Sequence, residues 1–352
     1  SGVVALMLEA NDQLGWRDVQ NILAISAAHT GSNFGGSTTG YEVNPWFSNG
    51  ADNWNGGGMS FHLNYGFGMV DVFAAVRMAE IWDIINDDPL VSTNEEVVTA
   101  SFAGGSLGLF DNQTTSASIT VTEGIIVEHI YVNVTMSHSY SGDLPIELVA
   151  PTGEIYQLFL EERDSDDFSG DYTYGVTGAL GLNSLGEWTL KVSDSALGST
   201  GTLSGFDLEF RGSETTDDTV FHFTDDFLAY AGVEGDRTSI ADDDGGTDWV
   251  NLAAVSGNVV LSLRANGGLN VGSQDWATCT NGDQIGNVVA GDGQDWIYGG
   301  AGDNRFLGGR GADTLVGAAG ADTLTGGAGD DLLNGDQIVG GFDTISAQVF
   351  RL

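Results

Sequence analysis

The chain has 352 residues, with 50 Asp plus Glu against 10 Lys plus Arg and a formal charge of −40. So acidic a surface excludes nucleic acid and anionic membranes as natural partners and favours multivalent cations. At 41% hydrophobic residues the chain is too apolar for a disordered acidic tail, and a single cysteine, Cys279, excludes an intramolecular disulfide. It has 53 glycines without a triplet repeat, and no apolar run approaches the length of a membrane span.

In chain order, residues 1 to about 86 read as helices joined by a Gly/Asn/Ser-rich loop over roughly 30–66. Val19, Ile22, Leu23 and Ser26 fall on one helical face, and Phe73, Val76 and Ile81 on another. The apolar start, Ser1 to Ala10, reads as a buried helix and not a signal peptide, so the chain is expected to be a fragment. An acidic linker follows at 87–96. From 97 to 212 the period becomes two: Ile130, Val132, Val134 and Met136 alternate with polar neighbours. The same rhythm runs through Leu144–Leu148, Trp188–Val192 and Phe206–Phe210, which predicts half-buried antiparallel strands in a sandwich. A second acidic linker spans 213–219, and short strands are expected over 220–280.

The rest is a tandem repeat of nine residues, with copies starting at Ala290, Gly299, Gly308, Gly317 and Gly326 and a degenerate copy at Asn281–Val289. Each approximates Gly-Gly-x-Gly-x-Asp-x-apolar-x, a calcium-binding nonapeptide. The sixth position holds Asp295, Asn304, Asp313, Asp322 and Asp331; the eighth holds Ile297, Phe306, Leu315, Leu324 and Leu333. If two copies make one turn of a coil, Asp295, Asp313 and Asp331 line one edge, and Asn304 and Asp322 the other. At a strand spacing of about 4.8 Å, bare carboxylates repel by roughly 3–4 kcal/mol at an effective dielectric of about 20, so the column calls for a cation. Turn carbonyls of Gly291, Gly293, Gly300, Gly302, Gly309, Gly311, Gly320, Gly327 and Gly329 would complete an all-oxygen shell suited to calcium. Asn304 weakens one edge, and Ala318 replaces a motif glycine. Gly340 to Ile345 reads as a further repeat cut short, so the C-terminus is expected to be truncated as well.

These repeats resemble those of RTX (haemolysin-type) proteins. The stretch before them, with Asp242 to Asp248 and Val259 to Leu263, is similar to the C-terminal domain of serralysins. That resemblance implies a calcium-filled parallel β-roll. The opening, Ser1 to Asn11 followed by Leu14-Gly15-Trp16-Arg17-Asp18-Val19-Gln20, resembles the segment just after the nucleophilic serine of kexin- and furin-like subtilases. Asn64-Tyr65-Gly66-Phe67-Gly68-Met69-Val70-Asp71 resembles the last loop and closing helix of the same family, with Asp12 standing in place of a usual Pro and Gly15 in place of a capping Ser or Thr. The resemblance places the catalytic triad upstream of Ser1. His29, His62, His129, His138 and His222 offer no substitute, since none adjoins a nucleophile-elbow serine, and no His-Glu-x-x-His zinc motif occurs. No catalytic residue is therefore expected, and the chain alone should be inactive.

Residues 97–212 resemble the P, or Homo B, domain of kexins and furins through His138 to Leu144, Pro151-Thr152-Gly153 and Gly186 to Asp194, with Phe206 in place of a usual Trp. This implies a jelly-roll β-sandwich. The acidic run Glu161, Glu162, Asp164, Asp166, Asp167 and Asp171 reads as a solvated loop more readily than as a further calcium site.

The expected architecture is mainly β and multidomain. A helical C-terminal remnant of an α/β subtilase domain (1–86) precedes the P domain (97–212), a serralysin-like flanking region (220–280), an RTX roll (281–343) and a tail (344–352). The expected function is the calcium-binding C-terminal portion of a secreted, bacterial serine endopeptidase whose partners are calcium and a protein or peptide substrate. The alternative is a non-catalytic, calcium-dependent adhesion or scaffold protein carrying a protease remnant.

Overall fold

The computed structural model describes residues 1–51, 59–86, 88–160, 167–231, 238–242, 244–282, 284–336 and 344–346. They form two compact units, one of residues 49–51 and 94–215, the other of residues 1–48, 52–93 and 216–352.

The first unit is a two-sheet β-sandwich. One sheet runs Gln113–Val121, Gly186–Asp194, Ile146–Val149, Ile155–Phe159, and the other Glu96–Ser101, Gly201–Glu214, Ile125–His138, Phe168–Val176. Pairing is antiparallel throughout, with Leu107–Leu109 added against Gly201–Leu203. The period-two pattern decides which face is inside: Ile130, Val132, Val134, Leu148, Trp188, Leu190, Val192 and Phe210 are fully buried. The final long strand continues through Glu214, into the stretch expected to be linker.

In the second unit the N-terminal segment supplies three helices, α1 (Gly2–Ala10), α2 (Trp16–Ile25) and α3 (Val72–Ile85). The Asp71 carboxylate caps α3 by accepting from the Ala74 amide at 3.0 Å. Asn11 ends α1 and ties it to α3, its Nδ2 donating to the Ala79 carbonyl and the Asp83 carboxylate, both at 3.0 Å. The position where a hydroxyl cap is usual is Gly15, and the structure gives the reason. A Cβ there would run into the Leu90 carbonyl, and the Asp18 carboxylate instead caps from within the helix, accepting from the Gly15 amide at 2.7 Å. The same carboxylate accepts from Leu90 N and Trp82 Nε1, and burial still holds its pKa above the ordinary range.

The expected face of α2 is covered, Ile22 and Ser26 fully, but burial on both helices extends beyond the expected residues and leaves Phe73 outside. On α2 the buried residues are Arg17, Asp18, Asn21, Ile22 and Ile25, with Val19 and Leu23 half-buried. On α3 Phe73 is exposed, and Ala74, Ala75, Met78, Ala79, Ile81 and Trp82 are buried. The reason lies in α3's neighbours, which are α1 on one side and the coil described next on another, so small and large residues alike are covered.

The C-terminal part of this unit is a flattened coil of two facing sheets. One runs, all parallel, through Val220–Thr224, Trp249–Ala254, Asn287–Val289, Arg305–Leu307, Thr323–Thr325 and Thr344–Ser346. The other carries Val259–Ser262, Trp296–Tyr298, Thr314–Ala318 and Leu332–Asp336 in parallel, with Gly267–Val271 and Gln274–Cys279 added antiparallel and Ser239–Ile240 at the edge. Successive nonapeptides alternate between sheets, so Ile297 aligns with Leu315 and Leu333, and Phe306 with Leu324. These apolar residues point into one core with Val288, Leu252 and Leu261. Strand Thr344–Ser346 lies beyond the end expected at 343 and pairs with Thr323–Thr325 in the same sheet.

Candidate metal centre

The turns between these strands bring the sixth-position residues to the edges of the coil. Asp295, Asn304, Asp313 and Asp322 are all almost fully buried, at 4% exposure or less, and Asp331 is half-buried. They stack as columns through hydrogen bonds of residues 18 apart: Asp295 N donates to Asp313 Oδ1 at 2.9 Å, and Asp313 N to Asp331 Oδ1 at 3.0 Å. On the opposite edge Asn304 N donates to Asp322 Oδ1 at 2.9 Å. The geometry thus groups the five residues as three on one edge and two on the other.

The carboxylates of Asp313, Asp322 and Asp331 lie over the first glycine of their own turns. A Cβ at Gly308 would meet Asp313 Oδ2 at 2.6 Å, and at Gly317 and Gly326 it would collide with the Asp322 and Asp331 carboxylates. Later glycines serve the stacking. Gly311, Gly320 and Gly329 have φ of +117°, +130° and +142°, and a Cβ on any of them would strike the carbonyl of Gly293, Gly302 or Gly311 in the preceding turn. The motif glycines are thus fixed by close approach as much as by backbone angle.

Electrostatically the columns are unfinished. Asp313 Oδ2 and Asn304 Oδ1 are buried without a hydrogen-bond partner. Burial pushes the Asp295 carboxyl up to about 6, with Asp292 adding repulsion, and the Asp313 carboxyl up to about 7, with Asp295 and Asp331 adding theirs. Buried oxygens lacking donors, carboxylates that resist ionisation and turn carbonyls at the same edge form a donor set of hard oxygen alone, which fits calcium. Among the described residues no three His, Cys, Asp or Glu side chains are grouped so that they could hold a metal ion by themselves.

One component escaped the sequence reading. The turn at Val255–Asn258 occupies the place of the turn preceding Gly291–Asp295. A Cβ at Gly291 would collide with the Val255 carbonyl, one at Gly293 would meet the Gly257 carbonyl at 2.5 Å, and Val259 N donates to Asp295 Oδ1 at 2.8 Å. The separation here is 36 residues, as between Val259 and Asp295, twice the 18 seen elsewhere. An antiparallel insertion, Gly267–Val271 with Gln274–Cys279, breaks the repeat; Ser256-Gly257-Asn258 was the available signal. Before the roll, Asp248 is pushed up to about 6 by burial and by Asp242, Asp244 and Asp218, while its Oδ1 accepts from Thr219 N at 2.8 Å.

The histidines occupy structural settings. His138 is buried between the Tyr140 carbonyl (2.7 Å) and Asp194 Oδ2 (3.2 Å). His222 meets Asn251 and stacks on Trp82. His29 contacts the Ser32 carbonyl, His62 Nδ1 accepts from the Asn64 amide, and His129 packs on Tyr131. Of the acidic run in the sandwich, Glu161, Glu162, Asp164 and Asp166 lie outside the described residues, while Asp171 accepts from the Thr135 hydroxyl at 2.6 Å. Among the described residues no helix is long and apolar enough to cross a membrane.

Comparison with known proteins matches two segments of the chain. Residues 127–210 match the proprotein convertase P-domain, and residues 281–315 and 307–337 match the RTX calcium-binding nonapeptide repeat. The chain is 32% identical over 206 residues to proprotein convertase subtilisin/kexin type 6 of Rattus norvegicus, covering 55% of this chain and 19% of that protein. It is 28% identical over 218 residues to furin of Bos taurus, covering 60% and 25%. Among solved structures, the serine protease of Aeromonas sobria aligns with a TM-score of 0.47 at 24% identity, covering 60% of this chain and 42% of that one. The chain therefore spans about a fifth to a quarter of the length of these curated relatives.

Proposed function

We propose that this chain, a proprotein-convertase P-domain joined to RTX calcium-binding repeats, is the calcium-binding C-terminal portion of a secreted, bacterial subtilisin/kexin-type serine endopeptidase. The observation that supports the reading is the succession of a P-domain sandwich and a nonapeptide coil, preceded by a helical segment whose sequence resembles the end of a subtilase domain. Proteolysis of a protein or peptide substrate through a serine acyl-enzyme belongs to the full-length parent, whose triad lies upstream of Ser1. This chain alone is inactive. Calcium here serves as a folding ligand. Asp295, Asp313 and Asp331 on one edge and Asn304 and Asp322 on the other hold it, with carbonyls of the turn glycines. At free calcium about ten times a site's dissociation constant, each site adds about 1.4 kcal/mol to stability.

The test uses a fluorophosphonate, which activated serines attack at phosphorus with loss of fluoride to form a stable phosphonate ester. The calcium-loaded parent should be labelled at one serine upstream of Ser1, and this chain should remain unlabelled. Labelling of this chain would contradict its assigned inactivity. A calcium-loaded parent that takes no label would return the reading to a non-catalytic adhesion or scaffold protein.

A further inference from the structure

Helix α3 and the turns of the roll meet in a four-membered charge cluster that the calcium function leaves unused. Arg77 of α3 pairs with Asp292 of the roll, Nε to Oδ1 at 2.8 Å, and with Glu80 one turn along the same helix. Arg310 of the roll reaches Glu80 at 3.0 Å and Asp292 at 3.5 Å. Signs alternate around the ring, so each cation faces two carboxylates. Three of the four side chains are well sheltered, with Arg77 at 7%, Glu80 at 13% and Asp292 at 22% exposure, where charge pairs are less screened than on an open surface. Beside the ring, Ile81 is buried with Trp249, Ala253, Val289 and Leu307.

The position of the two roll residues within the repeat matters most. Asp292 and Arg310 are third-position residues of turns stacked 18 residues apart, flanked by Gly291 and Gly293 and by Gly309 and Gly311. Those glycines are the ones whose carbonyls would hold calcium. Arg310 N donates to the Gly291 carbonyl at 3.0 Å, and Ala328 N to the Gly309 carbonyl at 2.9 Å, so the backbone of these turns sets where Arg310 stands. The chain has only 10 cationic residues among 50 acids, and two of them sit here.

We propose that this seam couples calcium binding in the roll to the folding of the N-terminal helical segment. Calcium fixes the turns, the turns hold Asp292 and Arg310 against α3, and α3 carries α1 through Asn11 and α2 through Trp82 and Asp18. The helices that close the protease portion are thereby ordered by a metal bound outside it. This inference rests on the calcium-binding reading of the roll.

The experiment is amide hydrogen exchange on the whole chain, with calcium and with a chelator. Removing calcium should speed exchange in roll peptides over 290–333 and, in parallel, about tenfold or more in peptides over 72–85. In Arg310→Ala and in Glu80→Gln, calcium should still protect the roll, but protection of 72–85 should fall about tenfold. Strands Gln113–Val121 and Gly186–Asp194, in the other compact unit, report whether each variant is otherwise folded. Exchange over 72–85 that ignores calcium while the roll responds would overturn the coupling and leave the calcium function standing. Coupling of wild-type size in both variants would overturn the role of the charge ring. A roll indifferent to calcium would defeat the functional reading, and this inference with it.

Discussion

Ala318 stands where neighbouring repeats place a glycine, and its φ of +76° lies beside +87° at Gly309 and +102° at Gly327. A side chain with a Cβ is disfavoured in that region, so Ala318→Gly should stabilise the calcium-loaded roll by about 1 kcal/mol, measured by urea unfolding in calcium. A second residue-scale prediction concerns Asp313. Its pKa is about 7 when folded without metal against an ordinary value of 3.8. Below about pH 4 both states hold the proton and the group contributes nothing. Between about 4 and 7 the unfolded chain ionises and the folded one does not, so stability falls as pH rises, and the full penalty is present above about 7. With calcium bound the carboxylate is the favoured form and the trend reverses. Asp313→Asn should therefore stabilise the calcium-depleted roll at pH 8 and destabilise the calcium-loaded one. The fraction of the roll that folds in metal-depleted buffer at pH 8 with a stabilising osmolyte, and thermal unfolding in calcium buffer, check the two signs. A single direction in both buffers would count against Asp313 as a ligand.

The elements differ in how plainly the sequence announced them. In the sandwich, side chains alternate strictly, so residues such as Val132 and Leu190 identified their buried face without tertiary knowledge. The coil was equally legible, because a fixed repeat length forces like residues to stack, as Ile297 does on Leu315. Helix α3 was less so. The inner face of α3 is decided by two neighbours distant in sequence, and Phe73 ended exposed while Ala74 and Ala75 were covered. The turn at Val255–Asn258 was hidden because an inserted hairpin doubles its separation from the next turn. Thr344–Ser346 continues the sheet at an offset of 21 residues from Thr323–Thr325, which also breaks the rule. At this scale the fourth-position glycines are the critical test. Gly311→Ala puts a methyl on the Gly293 carbonyl, at a φ of +117°. It should cost about 3 kcal/mol or more and abolish calcium-induced order in the flanking turns, read as lost exchange protection over 290–333.

At the scale of the molecule, the segments that open and close the chain share one compact unit, and the P-domain sandwich forms the other. Composition and motif order carried the functional reading: scarce cations, a repeat of buried acids, and motifs whose resemblances agree in sequence order. The shared unit had no sequence signal, since Arg77, Glu80, Asp292 and Arg310 read separately as ordinary charged residues. The central claim is that calcium folds the roll, and a calcium titration followed by far-ultraviolet circular dichroism tests it most directly. The chain freed of metal should lack the β signal of residues 220–352, regain it as calcium is added, and lose it again with excess chelator. A spectrum unchanged from chelator to millimolar calcium would contradict the account.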